Sequence, residues 1–204
     1  MDDTIAFYFD FISPFSYLAY QRLPGLAARF RCRLAPHVIN LAAAKLLAGN
    51  TGPTSRSQPL KRRYNQKDKE RWARRYGVPI ENPTSHEPDR LNMGTYYAAD
   101  RGQTDDYIAY AWRKVWGEGG DMGGEALLRD VARHCGWDEA AFLSFTQSPE
   151  AADRYQRGTQ AAHDKGVFGV PTMIIGGEMW WGNDRLDFLE EFLRERTAAP
   201  APAE

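Results

Sequence analysis

Cysteine is scarce in this chain. The two present in 204 residues, Cys32 and Cys135, stand far apart and in neither a redox pair nor a zinc-ligand spacing. That excludes dithiol–disulfide shuttling within the chain and predicts two buried free thiols in a reducing compartment. Histidine is nearly as sparse, and His37, His86, His134 and His163 share no metal-binding spacing, so no structural metal is expected. Charge of one sign is missing too: 26 Lys and Arg against 27 Asp and Glu leave a net −1, which gives no global field to recruit nucleic acid or an anionic membrane. No apolar run is long enough to span a bilayer, and the opening Met-Asp-Asp lacks the cationic and apolar regions of a secretory signal, so a cytoplasmic protein is expected. No fixed repeat period occurs. What the chain does have is 43% hydrophobic residues, enough for one core carrying an elaborated lobe.

The stretch Thr4 to Tyr17, TIAFYFDFISPFSY, organises the rest. Ile5, Phe7 and Phe9 alternate with Ala6 and Tyr8, and no charge intervenes before Asp10, as in a strand buried on both faces of a sheet. Pro14 suits the first turn of a helix, and Ser13 suits its N-cap. Ser13 and Ser16 keep the three-residue spacing that C-x-x-C has after a strand and at a helix start in thioredoxin-like redox proteins, with both sulfurs replaced. Two readings stay open: Ser13 is an ordinary cap, or its hydroxyl meets a thiolate supplied by a thiol cofactor. The helix that follows is interrupted by Pro24-Gly25, and residues 33–39 read as a second, parallel strand.

From Leu41 to about Lys165 strand character nearly vanishes. Helices are expected near 41–48, 56–76, 90–101, 104–116, 123–135, 138–146 and 149–165. Strands return at Thr172–Ile175 and Glu178–Trp181 about the hairpin signal Gly176-Gly177, and a last amphipathic helix follows with Asn183 or Asp184 as its cap. The order β-α-β, helical insert, β-β-α predicts an α/β thioredoxin-like fold. Its parts are a thioredoxin-like domain at 1–40 and 166–197, a helical insertion domain at 41–165 and a disordered tail at 198–204.

Several stretches can carry chemistry. In such a fold the loop ending in Val170-Pro171 faces the Ser13 turn; a cis-proline there would leave the Val170 N–H and C=O free for an extended peptide, although most X-Pro bonds are trans. Trp181, Gly182, Asn183 and Asp184 are either core packing and a cap, or the receptor for the charged end of a small peptide. The basic run Lys61–Arg75 is interrupted by Asp68 and Glu70, and Tyr64, Trp72 and Tyr76 are spaced to face a core, which favours a solvated helix face over a nucleic-acid surface. Lys45 and Arg56, flanking a glycine-rich loop, can hold a small carboxylate.

The segments DFISPFSYLA, GNTGPTSR, RWARRYGVPIENP, VWGEG and FGVPTMIIGGEMWWGNDRL together resemble the 2-hydroxychromene-2-carboxylate isomerase family, over nearly the whole chain. These are glutathione-dependent enzymes of naphthalene and related aromatic degradation, related to kappa-class glutathione transferases and more distantly to disulfide oxidoreductases. The resemblance implies that Ser13 is the active-site serine beside the glutathione sulfur. It also implies that Val170, before a cis Pro171, pairs with the cysteinyl unit, and that Trp181, Gly182, Asn183 and Asp184 hold the rest of glutathione. Lys45 and Arg56 would face the aromatic acid substrate, as would Ser55 and His86, which depart from the asparagine and tyrosine of another member. A homodimer is implied as well. Two alternatives remain: a kappa-like transferase or peroxidase acting on other electrophiles, and a redox-inert thioredoxin-fold binding module.

Overall fold

The computed structural model describes residues 3–54 and 57–198. A four-stranded sheet in the order β2-β1-β3-β4 carries the fold. Strand β1 (Thr4–Phe9) runs parallel to β2 (Arg33–Val38) and antiparallel to β3 (Thr172–Ile175), which pairs antiparallel with β4 (Glu178–Trp181). The Gly176-Gly177 turn between β3 and β4 has φ of 62° and 84°, the left-handed pair that a two-residue hairpin demands.

Both faces of β1 are covered, as its uninterrupted apolar run predicts. On one face Ile5, Phe7 and Phe9 are fully buried, with Trp112 at 6.2 Å from Phe7 and 4.9 Å from Phe9, ring centre to ring centre. On the other, Tyr8 packs with Ile39, Ala44, Ala162 and Val167. The first crossover is two short helices, α1 (Pro14–Tyr20) and α2 (Leu23–Arg29), split where Pro24-Gly25 forbids one continuous helix.

The insertion is all helical: α3 (Leu41–Leu47), α4 (Pro59–Tyr76), α5 (Asp89–Ala99), α6 (Thr104–Trp112), α7 (Glu125–His134), α8 (Glu139–Phe145) and α9 (Pro149–Asp164). The segment expected to continue α6 to 116 instead widens into a π-helical turn, Arg113–Gly117. Within the insertion Tyr107 is fully buried, and its hydroxyl donates to the Leu91 C=O at 2.6 Å. Gly94 is required beside it, because a Cβ there would collide with the Tyr107 hydroxyl and the Phe142 ring. Helix α10 (Leu186–Ala198) closes the chain against the sheet.

Three expectations need correction. Tyr64 does not face a core: it is 60% exposed, because the first half of α4 runs beyond the packed region that Trp72 and Tyr76 reach. Cys32 is half-buried just before β2, whereas Cys135 is buried; both are free thiols. Asn183 and Asp184 do not cap α10; they lie inside a 3₁₀ turn, Asn183–Arg185, that leads into it. The expected disordered tail falls, beyond Ala198, outside the described residues.

Candidate active site

Ser13 is buried where β1 hands over to α1. Its Oγ accepts from the Ser16 N–H at 3.2 Å, so the capping reading is correct as far as it goes. A hydroxyl that accepts one bond still has its own proton to donate. Ser16, fully buried one turn on, has an Oγ with no hydrogen-bond partner among the described residues.

The turn is fixed from behind by groups the sequence reading did not single out. The Ser13 N–H donates to the Asp10 C=O at 3.0 Å, Phe11 N–H to Asn92 Oδ1 at 3.1 Å, and Trp116 Nε1 to the Phe11 C=O at 2.8 Å. Asp10 is 2% exposed. Burial pushes its carboxyl up from 3.8 to about 6, against the lowering effect of hydrogen bonds from Ile12 N–H, Asn92 and Leu41 N–H; the charge of Asp89 adds to the rise. The available signal was an acid directly following an apolar strand, at a point where a solvated turn would ordinarily carry it.

Strand register then brings the other elements to the same end of the sheet. Tyr8 pairs with Thr172, and Thr172 with Trp181, so the loop before β3 and the end of β4 both lie beside the β1–α1 connection. The Val170–Pro171 bond is cis. Thr172 Oγ1 donates to the Gly169 C=O at 2.7 Å and Gly182 N–H to the Pro171 C=O at 2.9 Å, while no hydrogen bond among the described residues uses the Val170 N–H or C=O. Trp181 is 52% exposed, edge-on to the exposed Phe168 at 4.9 Å and lying over Gly169, where a Cβ would come within 2.7 Å of its Nε1. Gly182 has φ of 113°, a conformation that other residues rarely adopt.

Asn183 is 3% exposed; its Oδ1 accepts from the Tyr76 hydroxyl at 3.2 Å, and its Nδ2 is buried without a partner among the described residues. Asp184 is exposed and pairs with Arg185 at 3.1 Å. The sheet thus gathers Ser13, Val170, Pro171, Trp181, Gly182, Asn183 and Asp184. It does not gather Lys45 or His86, which the insertion supplies: Lys45 lies half-buried in the last turn of α3, and His86 half-buried in the connection from α4 to α5. Ser55 and Arg56 lie outside the described residues.

The model of the DSBA-like thioredoxin domain matches residues 4–194. A 2-hydroxychromene-2-carboxylate isomerase from Pseudomonas putida is 45% identical over 186 residues, covering 91% of this chain and 92% of that protein. The solved structure of a selenomethionine 2-hydroxychromene-2-carboxylate isomerase superposes with a TM-score of 0.91 at 43% identity, over 95% of this chain and 96% of the other. Glutathione S-transferase kappa 1 from Homo sapiens is more distant, 22% identical over 98% of this chain and 94% of that protein.

Proposed function

The chain belongs to the 2-hydroxychromene-2-carboxylate isomerase family, within the DSBA-like thioredoxin domains, and from that premise we propose that it is a glutathione-dependent cis–trans isomerase of 2-hydroxychromene-2-carboxylate or a close aromatic analogue. The observation that carries the reading is the juxtaposition, through the β1–β3 register, of a buried Ser13 hydroxyl with the unpaired backbone of Val170 beside a cis-proline. A hydroxyl without a partner thiol in the chain suits a thiol that arrives from outside.

The residues present fit glutathione. Buried polar groups are normally hydrogen-bonded, and here the Ser16 Oγ and Asn183 Nδ2 lack partners at the same end of the sheet where Val170 offers a donor and an acceptor. Ser13 would donate a hydrogen bond to the sulfur while keeping its proton, favouring the thiolate. Val170 would pair with the cysteinyl backbone, Asn183 would donate to a carboxylate, and Asp184 would receive an ammonium group. Trp181 and Phe168 would flank the tripeptide with apolar surface. Lys45 would hold the substrate carboxylate from the insertion side, and the family resemblance adds Ser55, Arg56 and His86 to the substrate contacts. Bound glutathione would supply a thiolate that adds to and leaves the conjugated ring-opened acid, letting a double bond rotate as a single bond with no net redox change.

The test is ultraviolet absorbance of 2-hydroxychromene-2-carboxylate with the protein, with and without catalytic glutathione. Conversion to trans-o-hydroxybenzylidenepyruvate only when glutathione is present, with none consumed, is the expected result. Consumption of glutathione would point instead to a kappa-like transferase, and calorimetry showing tight binding of longer peptides but not glutathione would point to a redox-inert binding module.

A further inference from the structure

Asp10 is, among the described residues, the one buried acid, lying beneath the Ser13 turn and facing in two directions. Oδ1 accepts from the Ile12 N–H at 3.0 Å, one residue before Ser13, and from Asn92 Nδ2 at 2.7 Å. Oδ2 accepts from the Leu41 N–H at 2.9 Å, the first residue of α3, the helix that carries Lys45. Each donor comes from a different part of the molecule: the turn itself, α5 and the β2–α3 corner. The surroundings continue the network. Asn92 Nδ2 also donates to the Tyr155 hydroxyl of α9 at 2.6 Å, Tyr155 reaches the Ile39 C=O at 3.4 Å, and the Asn40 N–H donates to Thr159 Oγ1 of α9 at 2.9 Å. All three direct donors are neutral, and the acid whose charge is felt, Asp89 of α5, has the same sign as Asp10.

We propose that the Asp10 carboxylate is a positioning residue that latches the Ser13 turn to the start of α3, so that the Ser13 hydroxyl and Lys45 keep one relative placement while Asp10 is ionised. The inference rests on the functional reading above only in giving Ser13 and Lys45 their roles; the latch itself is a property of the ligand-free chain. Its chemistry is one of acceptor count. An ionised carboxylate is an acceptor only, and its two oxygens satisfy three converging N–H groups. A proton on Oδ2 turns an O–H toward the Leu41 N–H, and a proton on Oδ1 turns one toward two donors. Leu41 is the lone donor on its oxygen, so protonation there breaks the fewest bonds and releases α3.

The deciding measurement is the pH titration of the backbone amide resonances of Ile12, Ser13, Leu41 and Lys45 by NMR in the ligand-free protein. Asp10→Asn is the first variant, since it has the shape of Asp but cannot ionise and directs an amino group at one of the same donors. In the wild type the four amides are expected to move together with one midpoint near pH 6, the point to which burial pushes the Asp10 carboxyl, and in Asp10→Asn to stay flat. The second variant, Asn92→Ala, removes a donor that favours the ionised form, so its midpoint should move to higher pH. Turnover should follow: an acid limb at the same midpoint in the wild type, and in Asp10→Asn a pH-independent kcat lowered about 10–10²-fold, the cost of a small misplacement of a reacting group. Independent titration of the four amides, or the same titration in Asp10→Asn, overturns the latch. So does an acid limb that survives in Asp10→Asn. A wild type that isomerises nothing in the presence of glutathione removes the proposed function, while the amide titration still decides the latch.

Discussion

Replacing Asp10 with asparagine should change the fold's stability little at pH 4.5 and raise it, relative to the wild type, by about 2 kcal/mol more at pH 7.5. The carboxyl is pushed from 3.8 up to about 6 by burial. A raised carboxyl pKa means that the folded state binds the proton more tightly than the unfolded chain does. This group's contribution is therefore fully present below pH 3.8 and is lost as the pH rises through 6. The whole shift corresponds to about 3 kcal/mol, of which about 2 kcal/mol falls between pH 4.5 and 7.5. Asparagine does not ionise and so avoids that penalty at pH 7.5, and its amino group faces one of the three donors, most simply the Leu41 N–H, as the O–H of the protonated acid does. That loss is common to asparagine and to the protonated wild type, so it does not offset the gain at pH 7.5. Urea unfolding of both proteins at the two pH values measures the double difference, and other titrating groups cancel between them. A stability gap that is the same at both pH values would refute the claim that Asp10 is a buried, ionised carboxylate at neutral pH.

Other outcomes follow from named contacts. Ser13→Ala should lower turnover about 10²–10³-fold, the loss of one well-placed donor to a developing anion, and near wild-type rates in the absorbance assay would remove Ser13 from the mechanism. Tyr76→Phe deletes the one bond to the Asn183 side chain among the described residues; calorimetry should show glutathione binding weakened about tenfold, as for a single hydrogen bond, and unchanged affinity would take Asn183 out of the site. Gly94→Ala drives a Cβ into the Tyr107 hydroxyl and the Phe142 ring, and thermal unfolding should report a loss of about 1–3 kcal/mol from overpacking; an unshifted transition would show that Tyr107 has room to move.

The parts of the molecule legible in sequence are those governed by short-range rules. Alternation in Ile5, Phe7 and Phe9, the Pro14 and Pro24 positions and the Gly176-Gly177 pair each act within a few residues, and each reads through to β1, α1, the helix break and the hairpin. Asp10 was invisible for the opposite reason. Its burial comes from Asn92 and Tyr155, far along the chain, and nothing in residues 4–17 says that helices α5 and α9 close over it. Tyr64 failed similarly: its helical spacing matches Trp72 and Tyr76, but spacing does not reveal where along α4 the core ends. Asn183 looked like a cap because cap residues are chosen by the first turn, and here a 3₁₀ turn takes that place while Tyr76 claims the side chain.

The division of labour in the site explains why a junction should matter more than any single contact. Of the residues proposed for the site, Ser13, Val170 and the Trp181–Asp184 segment lie at one end of the sheet, tied by strand register, whereas Lys45 in α3 and His86 in the α4–α5 connection belong to the insertion, which has no ladder to the sheet. In a dithiol relative of this fold the reacting atoms share one turn, so register alone places them. Here the turn contributes a hydroxyl, and the proposed chemistry needs that hydroxyl aligned with a cation on another body. Alignment then falls to bonds that cross between sheet and insertion, among them Leu41 to Asp10 at 2.9 Å, Asn92 to Asp10 at 2.7 Å, Phe11 to Asn92 at 3.1 Å, Trp116 to Phe11 at 2.8 Å and Tyr17 to Pro79 at 2.8 Å. Of these, the two bonds to Asp10 have a side-chain acceptor that can titrate. A buried ion that destabilises the fold at neutral pH is costly to keep unless its charge is used, and three N–H groups converging on it from three segments are what a neutral side chain of that size could not satisfy.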